Sequence, residues 1–310
     1  MTNSRFAIAA SLALACAPPL SVQAHRAWML PSSTIVSGSG AWVTVDAAVS
    51  NDLFYFDHQP LRLESLLVLA PDGTPLKADN ISTGRYRSTF DVRLTQQGTY
   101  KIGRVSDTAV ASYDEHGQLK HFQGAWADLA KAVPVDAPAR AVQRTTTRLE
   151  IFVTAGKPTD TVLAPTGAGL ELVPVTHPND LVDGEAATFG LLLDGRPAPN
   201  LGVEVIPGGI RYRDQPNERR YTTDGNGRFT ITFDEPGMYW MHATYQDGDA
   251  GRRQASPSAG ARGRGNGQAP PLAGRPGGAG GRGGRGRVLE GPVQPGRRAS
   301  YTATLEVLPQ

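Results

Sequence analysis

Arg219-Arg220-Tyr221-Thr222-Thr223-Asp224-Gly225-Asn226-Gly227-Arg228-Phe229-Thr230-Ile231-Thr232-Phe233 sets two short runs on either side of one turn. In the second run Phe229, Ile231 and Phe233 recur at every other position, the period of a strand with one buried face. Between the runs, Asp-Gly-Asn-Gly supplies residues that tolerate positive φ and bond their own backbone, so the chain turns there. The same grammar extends outward. Pro236-Gly237 opens a run at Met238–Tyr245, and upstream the turn Asp194-Gly195 separates Ala187–Leu193 from Val203–Ile206. With Leu170-Glu171-Leu172-Val173-Pro174 at one end and Tyr301–Leu308 at the other, the spacing predicts a seven-stranded immunoglobulin- or transthyretin-like meander.

The first half keeps the same period. Val43, Val45 and Ala47 alternate with Trp42, Thr44 and Asp46; Phe90, Val92 and Leu94 with Thr89, Asp91 and Arg93; Leu149, Ile151 and Val153 with Glu150 and Phe152. Only Trp126, Leu129, Ala130 and Val133 show helical spacing, and Pro134 ends that one short helix. The 310 residues include 36 Gly and 24 Pro against 7% aromatic residues, a balance that suits short strands and many turns and argues against a large helical enzyme core. The expected architecture is all-β: two immunoglobulin-/transthyretin-like sandwich domains, residues 25–157 and 170–310, with a linker at 158–169.

Two segments stand outside that pattern. Residues 1–24 read as a secretory signal peptide: Arg5, an eleven-residue apolar run from Phe6 to Cys16, a Pro18-Pro19 break, and the small-x-small end Val22-Gln23-Ala24. Cleavage after Ala24 predicts export to the periplasm and makes His25 the first residue. Cys16 is the only cysteine and leaves with the leader, which excludes disulfides, thiolate metal sites and a cysteine nucleophile from the mature chain.

Residues 251–298 hold ten Arg, one acid (Glu290) and 15 Gly, with too few large apolar side chains to offset the entropy of ordering. They read as a disordered Arg/Gly-rich loop inserted ahead of the last strand. The formal charge of +2 hides this contrast: without the loop and Arg5, 20 basic residues face 28 acidic ones, a net −8. The loop has no aromatic residue to stack on a base, so no nucleic-acid partner is expected. Electrostatic contact with the anionic envelope, or an inert insertion, are the remaining roles.

Catalytic signatures are missing: no Gly-x-Ser-x-Gly, no Ser-x-x-Lys, no phosphate loop, no dinucleotide fingerprint between a strand and a helix and no His-Glu-x-x-His. Imidazole metal chemistry stays open, and the chain has six histidines. As a first residue, His25 offers its α-amine and ring Nδ1 to one ion as a chelate. His58 lies in Asn51-Asp52-Leu53-Phe54-Tyr55-Phe56-Asp57-His58-Gln59-Pro60, either beside a carboxylate that orients a ligating ring or in an ordinary aromatic surface loop. His177, in Val175-Thr176-His177-Pro178-Asn179-Asp180, is a ligand candidate within what otherwise reads as a turn. His242 shares a strand face with Trp240 and Met238, a packed rim position with metal ligation as its alternative. His116 and His121 read as solvated.

One series of motifs carries a family resemblance. Ala24-His25-Arg26-Ala27-Trp28-Met29-Leu30-Pro31-Ser32, Gly98-Thr99-Tyr100, Leu170-Glu171-Leu172-Val173-Pro174, Leu193-Asp194-Gly195-Arg196-Pro197, Thr223-Asp224-Gly225-Asn226-Gly227-Arg228-Phe229 and Pro236-Gly237-Met238-Tyr239 follow one another as in the DUF4198 family of exported bacterial proteins. Members of that family resemble the periplasmic component of nickel and cobalt uptake systems. The resemblance implies a periplasmic component of nickel or cobalt uptake. With imidazole and amine donors, the expected protein is non-enzymatic, binds a divalent transition metal (Ni, Co or Cu) and passes it to a membrane metal transporter or outer-membrane receptor. The Arg/Gly loop departs from the family pattern. From the residues themselves, the expected ligands are His25, His58 and His177, with His242 as the alternative, in a monomer. Two rivals remain: a copper oxidoreductase built on an N-terminal histidine brace, and an immunoglobulin-like envelope-binding module without metal.

Overall fold

The computed structural model describes residues 25–38, 40–134, 136–247 and 295–310. The leader reading and most of the Arg/Gly loop lie outside the described residues. In the first half the strands are β1 (Arg26–Pro31), β2 (Ile35–Val36), β3 (Ala41–Ser50), β4 (Gln59–Pro60), β5 (Leu66–Leu69), β6 (Pro75–Leu76), β7 (Asp79–Thr83), β8 (Ser88–Leu94), β9 (Gly98–Glu115) and β10 (Gln118–Ala125). The helix α1 (Trp126–Ala132) follows, then β11 (Ala139–Ala155). The second half contains β12 (Leu170–Pro174), β13 (Ala186–Leu193), β14 (Arg196–Pro197), β15 (Gly202–Pro207), β16 (Arg219–Thr222), β17 (Arg228–Thr232), β18 (Gly237–Gln246) and β19 (Gly296–Val307).

These strands form three sheets. Sheet one runs β1-β3-β8-β7, with β4 also on β3. Sheet two runs β16-β15-β18-β19-β11-β9-β5-β6, with β10 on β9 and β2 on β11. Sheet three runs β12-β13-β14, with β17 on β13. Sheet two therefore belongs to both halves, and its join is the parallel pair β11–β19, in register from Gln143↔Gly296 to Glu150↔Ala303.

Side chains alternate across a strand and partners in register share a face. Leu149 is opposite Thr302, and Arg148 is opposite Tyr301, so Leu149 and Tyr301 point to opposite sides of sheet two. Leu149, Ile151 and Val153 pack with Val43, Val45, Phe90 and Val92 of sheet one. Tyr301, Ala303 and Leu305 pack with Phe189, Leu191 and Phe229 of sheet three. The fold is all-β, two sandwiches built on opposite faces of one continuous sheet.

The alternating runs of the sequence appear as β3, β8 and β11, and α1 stops short of Pro134. The meander is not observed. Strand β16 pairs with β15 and β17 with β13, so the Asp224–Gly227 turn carries the chain from sheet two to sheet three. Asp224 Oδ1 accepts the N–H groups of Asn226 and Arg228, each at 2.8 Å. Gly227, at φ +74°, lies so close to β13 that a Cβ would stand 2.6 Å from the Leu191 carbonyl oxygen. The turn is packed against a neighbouring strand and closes no ladder of its own. Asp194-Gly195 does close a hairpin, β13–β14, with φ of +49° and +73°, and so does His116-Gly117, at +50° and +79°, for the long β9–β10 pair. At the end of the Arg/Gly loop, Gly296–Arg298 open β19 and belong to the sheet; Asp247 N–H donates to Arg297 O at 3.0 Å, pinning the ends of β18 and β19 together.

The face of β11 that alternation alone turns outward is buried under sheet three. There Arg148 Nη1–H donates to Glu150 Oε1 at 3.0 Å, and Arg148 Nη2 lies 3.3 Å from Glu171 Oε1 on β12. Tyr301 O–H donates to Glu150 Oε2 at 2.9 Å. Burial pushes the Glu171 carboxyl up, but hydrogen bonds from Thr166 and Gly167, with the Arg148 charge, outweigh it and hold it below the usual range. Glu171 therefore contributes stability above about pH 4.5 that is lost as the pH falls through its lower folded-state value. Burial, then the Glu150 carboxylate, push the Tyr301 hydroxyl well above its ordinary value. Arg148→Ala strands two buried carboxylates and is expected to lower the unfolding free energy by about 3–5 kcal/mol in urea titrations. A loss under about 1 kcal/mol would show that the cluster does not lock the sheets.

Candidate functional site

Two tryptophans, one from each half, hold the start of β1. Trp28 is fully buried and donates its indole N–H to Ser50 Oγ at 2.7 Å. Its ring meets Phe54 and Phe56, each with centroids 5.5 Å away. Trp240 of β18 lies in the same cluster with Ile206 and Leu53, and donates its indole N–H to Ala27 O at 2.9 Å. Gly208 admits this packing, since a Cβ there would stand 3.0 Å from the Phe54 ring.

His25 directly precedes β1, and His58 directly precedes β4. Both strands pair with the end of β3, through Arg26↔Ser50 and Gln59↔Val49. The two histidines are brought together: their rings stack with centroids 3.8 Å apart and planes 4° from parallel, both exposed. Asp57 is not the orienting partner that its position beside His58 suggests. Its carboxylate accepts the N–H groups of Asn51 (2.9 Å) and Asp52 (3.2 Å), closing the loop that presents His58. The carboxylate is thus engaged by the loop's own backbone, and the exposed His58 ring stacks on His25.

His177 stands apart from this pair. Its Nε2 is 3.0 Å from Thr99 Oγ1, and its Nδ1 accepts the Asn179 N–H at 3.1 Å, which is the turn chemistry of its sequence. Burial pushes its pKa down. His116 occupies an exposed hairpin tip and His121 an exposed position on β10.

Beside His25 an open cavity of about 650 Å³ separates the start of β1 from the outer face of β15, β16, β18 and β19. Along its floor the ladders align Arg220 with Glu204, Glu204 with His242, and His242 with Thr302. His242 stacks on Trp240 (5.1 Å, 15°), as its shared face implies. Its Nδ1 is 3.0 Å from Thr302 Oγ1 and its Nε2 2.8 Å from Thr244 Oγ1. Burial, reinforced by the charges of Arg298 and Arg26, pushes its pKa down to about 4, so the ring is neutral at pH 7. Glu204 lies 3.8 Å from Arg26. Burial and the nearby Glu218 push its carboxyl up, against the pull of Arg26 and Arg220.

Glu204, Arg220 and Arg298 are absent from the sequence reading of the site. Each is an ordinary polar residue on the outer face of its own strand, and only the ladder order of sheet two assembles them. Among the described residues, no three of His, Cys, Asp or Glu surround one ion position. An ion at His25 and His58 therefore has to take further donors from the α-amine, solvent or a bound molecule.

A family model described as a domain of unknown function, DUF4198, matches residues 22–247. The chain belongs to the DUF4198 family. The matched span of this DUF4198 protein takes in His25, Trp28, His58, Trp240 and His242, and ends before β19. No curated protein matches it. Solved structures with some likeness include a DUF4785 family protein from Legionella pneumophila, at 8% identity over 69% of this chain and 50% of that one, TM-score 0.21. Others are Escherichia coli alpha-2-macroglobulin (10% identity, 71% and 29% covered, TM-score 0.20) and the D0-D1 domain of intimin (12%, 69% and 88%, TM-score 0.19). The chain thus spans half of the Legionella protein and under a third of the macroglobulin.

The burial of His242 is directly measurable. In ring ¹⁵N NMR spectra its titration midpoint is expected near pH 4, with no change between pH 5.5 and 8. Because that value lies below the unfolded one of about 6.5, folding stability should fall as pH drops from about 6.5 towards 4. A midpoint near 6.5 would show an open, solvated ring.

Proposed function

We propose that this DUF4198 protein is an exported carrier of a divalent transition metal, bound at the start of β1 and passed to a membrane uptake system. The observation that carries the reading is the stacked pair His25–His58. Two imidazoles in face-to-face contact on the surface need only side-chain rotation to aim one nitrogen each at a shared ion, at the ~2.0–2.1 Å usual for metal–imidazole bonds. Cleavage of residues 1–24 in the periplasm adds the His25 α-amine, whose ordinary pKa near 8 lets a divalent cation displace the proton. Nitrogen donors suit Ni²⁺, Co²⁺ and Cu²⁺; intrinsic affinity favours Cu²⁺, so a nickel or cobalt carrier depends on metal supply and geometry. Family membership adds the resemblance to the periplasmic component of nickel and cobalt uptake systems.

Exposure of both rings fits delivery, because a partner's ligands reach the ion without unfolding the carrier. An amine with two imidazoles is also the donor set of a copper brace, the second reading. Ascorbate-dependent peroxide release by the copper-loaded protein separates an oxidoreductase from a carrier.

Titration calorimetry with Ni²⁺, Co²⁺ and Cu²⁺ tests the site. His25→Ala, His58→Ala and one Ala added ahead of His25 are each expected to weaken binding by about tenfold or more, since even an outer partner of a ligand is typically worth ~10–100-fold. His177→Ala, whose ring is bonded elsewhere, should leave affinity unchanged. Unaltered binding in both His58→Ala and the extended protein would move the site away from β1.

A further inference from the structure

The cavity beside His25 is larger than a metal ion requires. At ~30 Å³ per water, an ion with its inner hydration shell fills roughly 200 Å³. The cavity offers about 650 Å³, inside the ~300–1,000 Å³ range of small-molecule sites. Its arginines also outnumber its acids. Arg26, Arg220 and Arg298 line it, with Glu204 the one acid among the lining residues. Arg26 is paired with Glu204 and Arg220 with Glu218, whereas Arg298 is exposed and no ion pair to it occurs among the described residues. His242 adds no positive charge at pH 7, since its ring is neutral there. Guanidinium groups present paired N–H donors that match a carboxylate in geometry and charge.

His25 belongs both to this cavity and to the histidine pair. A carboxylate-bearing molecule held by the arginines would lie next to an ion held by His25 and His58. We propose that the cavity takes a small di- or tricarboxylate that is itself a ligand of the metal, so that the cargo arrives as an organic chelate. Arg220 and Arg298 hold its outer carboxylates, while His25 and His58 hold the ion. This rests on the metal reading above. It also answers the shortage of donors at the histidine pair: the chelator's oxygens complete the coordination that the protein leaves open.

The test uses the full chain as purified from cells, its N-terminus verified by mass spectrometry. Calorimetric titrations are run with Ni²⁺ alone, citrate alone and the equimolar Ni²⁺–citrate chelate. The proteins are wild type, Arg298→Gln, the double variant Arg220→Gln/Arg298→Gln, and His25→Ala, each checked by circular dichroism melting. The double variant is expected to weaken chelate binding by about tenfold or more while leaving Ni²⁺ alone unchanged, with Arg298→Gln intermediate. His25→Ala should weaken both. The proposal is overturned if the double variant binds the chelate like wild type, or if citrate strips Ni²⁺ from the wild-type protein without a ternary complex. Arginine-dependent binding of citrate with no binding of Ni²⁺ in either form would overturn it too, leaving an organic-anion site. Absence of Ni²⁺ binding, alone and as the chelate, refutes the metal reading, whereas Ni²⁺ binding without arginine dependence refutes only the chelate.

Discussion

The parallel pairing of β11 with β19 is the constraint on which the rest of the molecule depends. It makes sheet two continuous and places the two hydrophobic cores on its opposite faces. A strand covered on both sides has no outward face to give its polar residues to water. Arg148 and Glu150 of β11 must therefore find partners inside, and Glu171 of β12 and Tyr301 of β19 are among them. Such a cluster is weak evidence for net stability, but removing one partner leaves an uncompensated buried charge. Its value here is register. A slip of β19 by one residue would turn Tyr301 away from Glu150 and exchange the whole strand between core and outer face.

Once β19 is placed, β18 and β15 follow by antiparallel pairing, and their outer face turns towards β1. Trp240 is one contact between the two, beside the Arg26–Glu204 pair: its indole N–H binds Ala27 O, two residues from His25. The candidate site is thus a product of the join between the halves. His25 and His58 come from the first sandwich, while Glu204, Arg220, His242 and Arg298 come from the second. Ligand sites commonly occupy such seams, because neither side alone encloses the space.

Much of the local structure was legible in the sequence, since alternation reports directly on which side of a strand is buried. Val43, Val45 and Ala47, or Phe90, Val92 and Leu94, needed nothing further. Glu150 shows the limit: alternation assigns it to an open face, and only the arrival of sheet three, from a distant part of the chain, buries it. The Asp-Gly-Asn-Gly turn shows another, for turn chemistry specifies a change of direction but not which strand comes to lie alongside. In the site, His25 and His58 were recognisable one by one from their chemistry. Their stacking was not, because it depends on β1 and β4 both pairing with the end of β3. Arg26, Arg220 and Arg298 gave no sign that they would meet, because they lie on separate strands.

In the proposed carrier, the two imidazoles at the start of β1 hold one metal ion. X-ray absorption spectroscopy of the nickel-loaded protein tests it most directly, because multiple scattering counts imidazole rings in the first coordination shell. A shared ion requires two imidazoles per nickel in the wild-type protein and one in His58→Ala. A shell of oxygen donors, or a single imidazole count unchanged by His58→Ala, would contradict it.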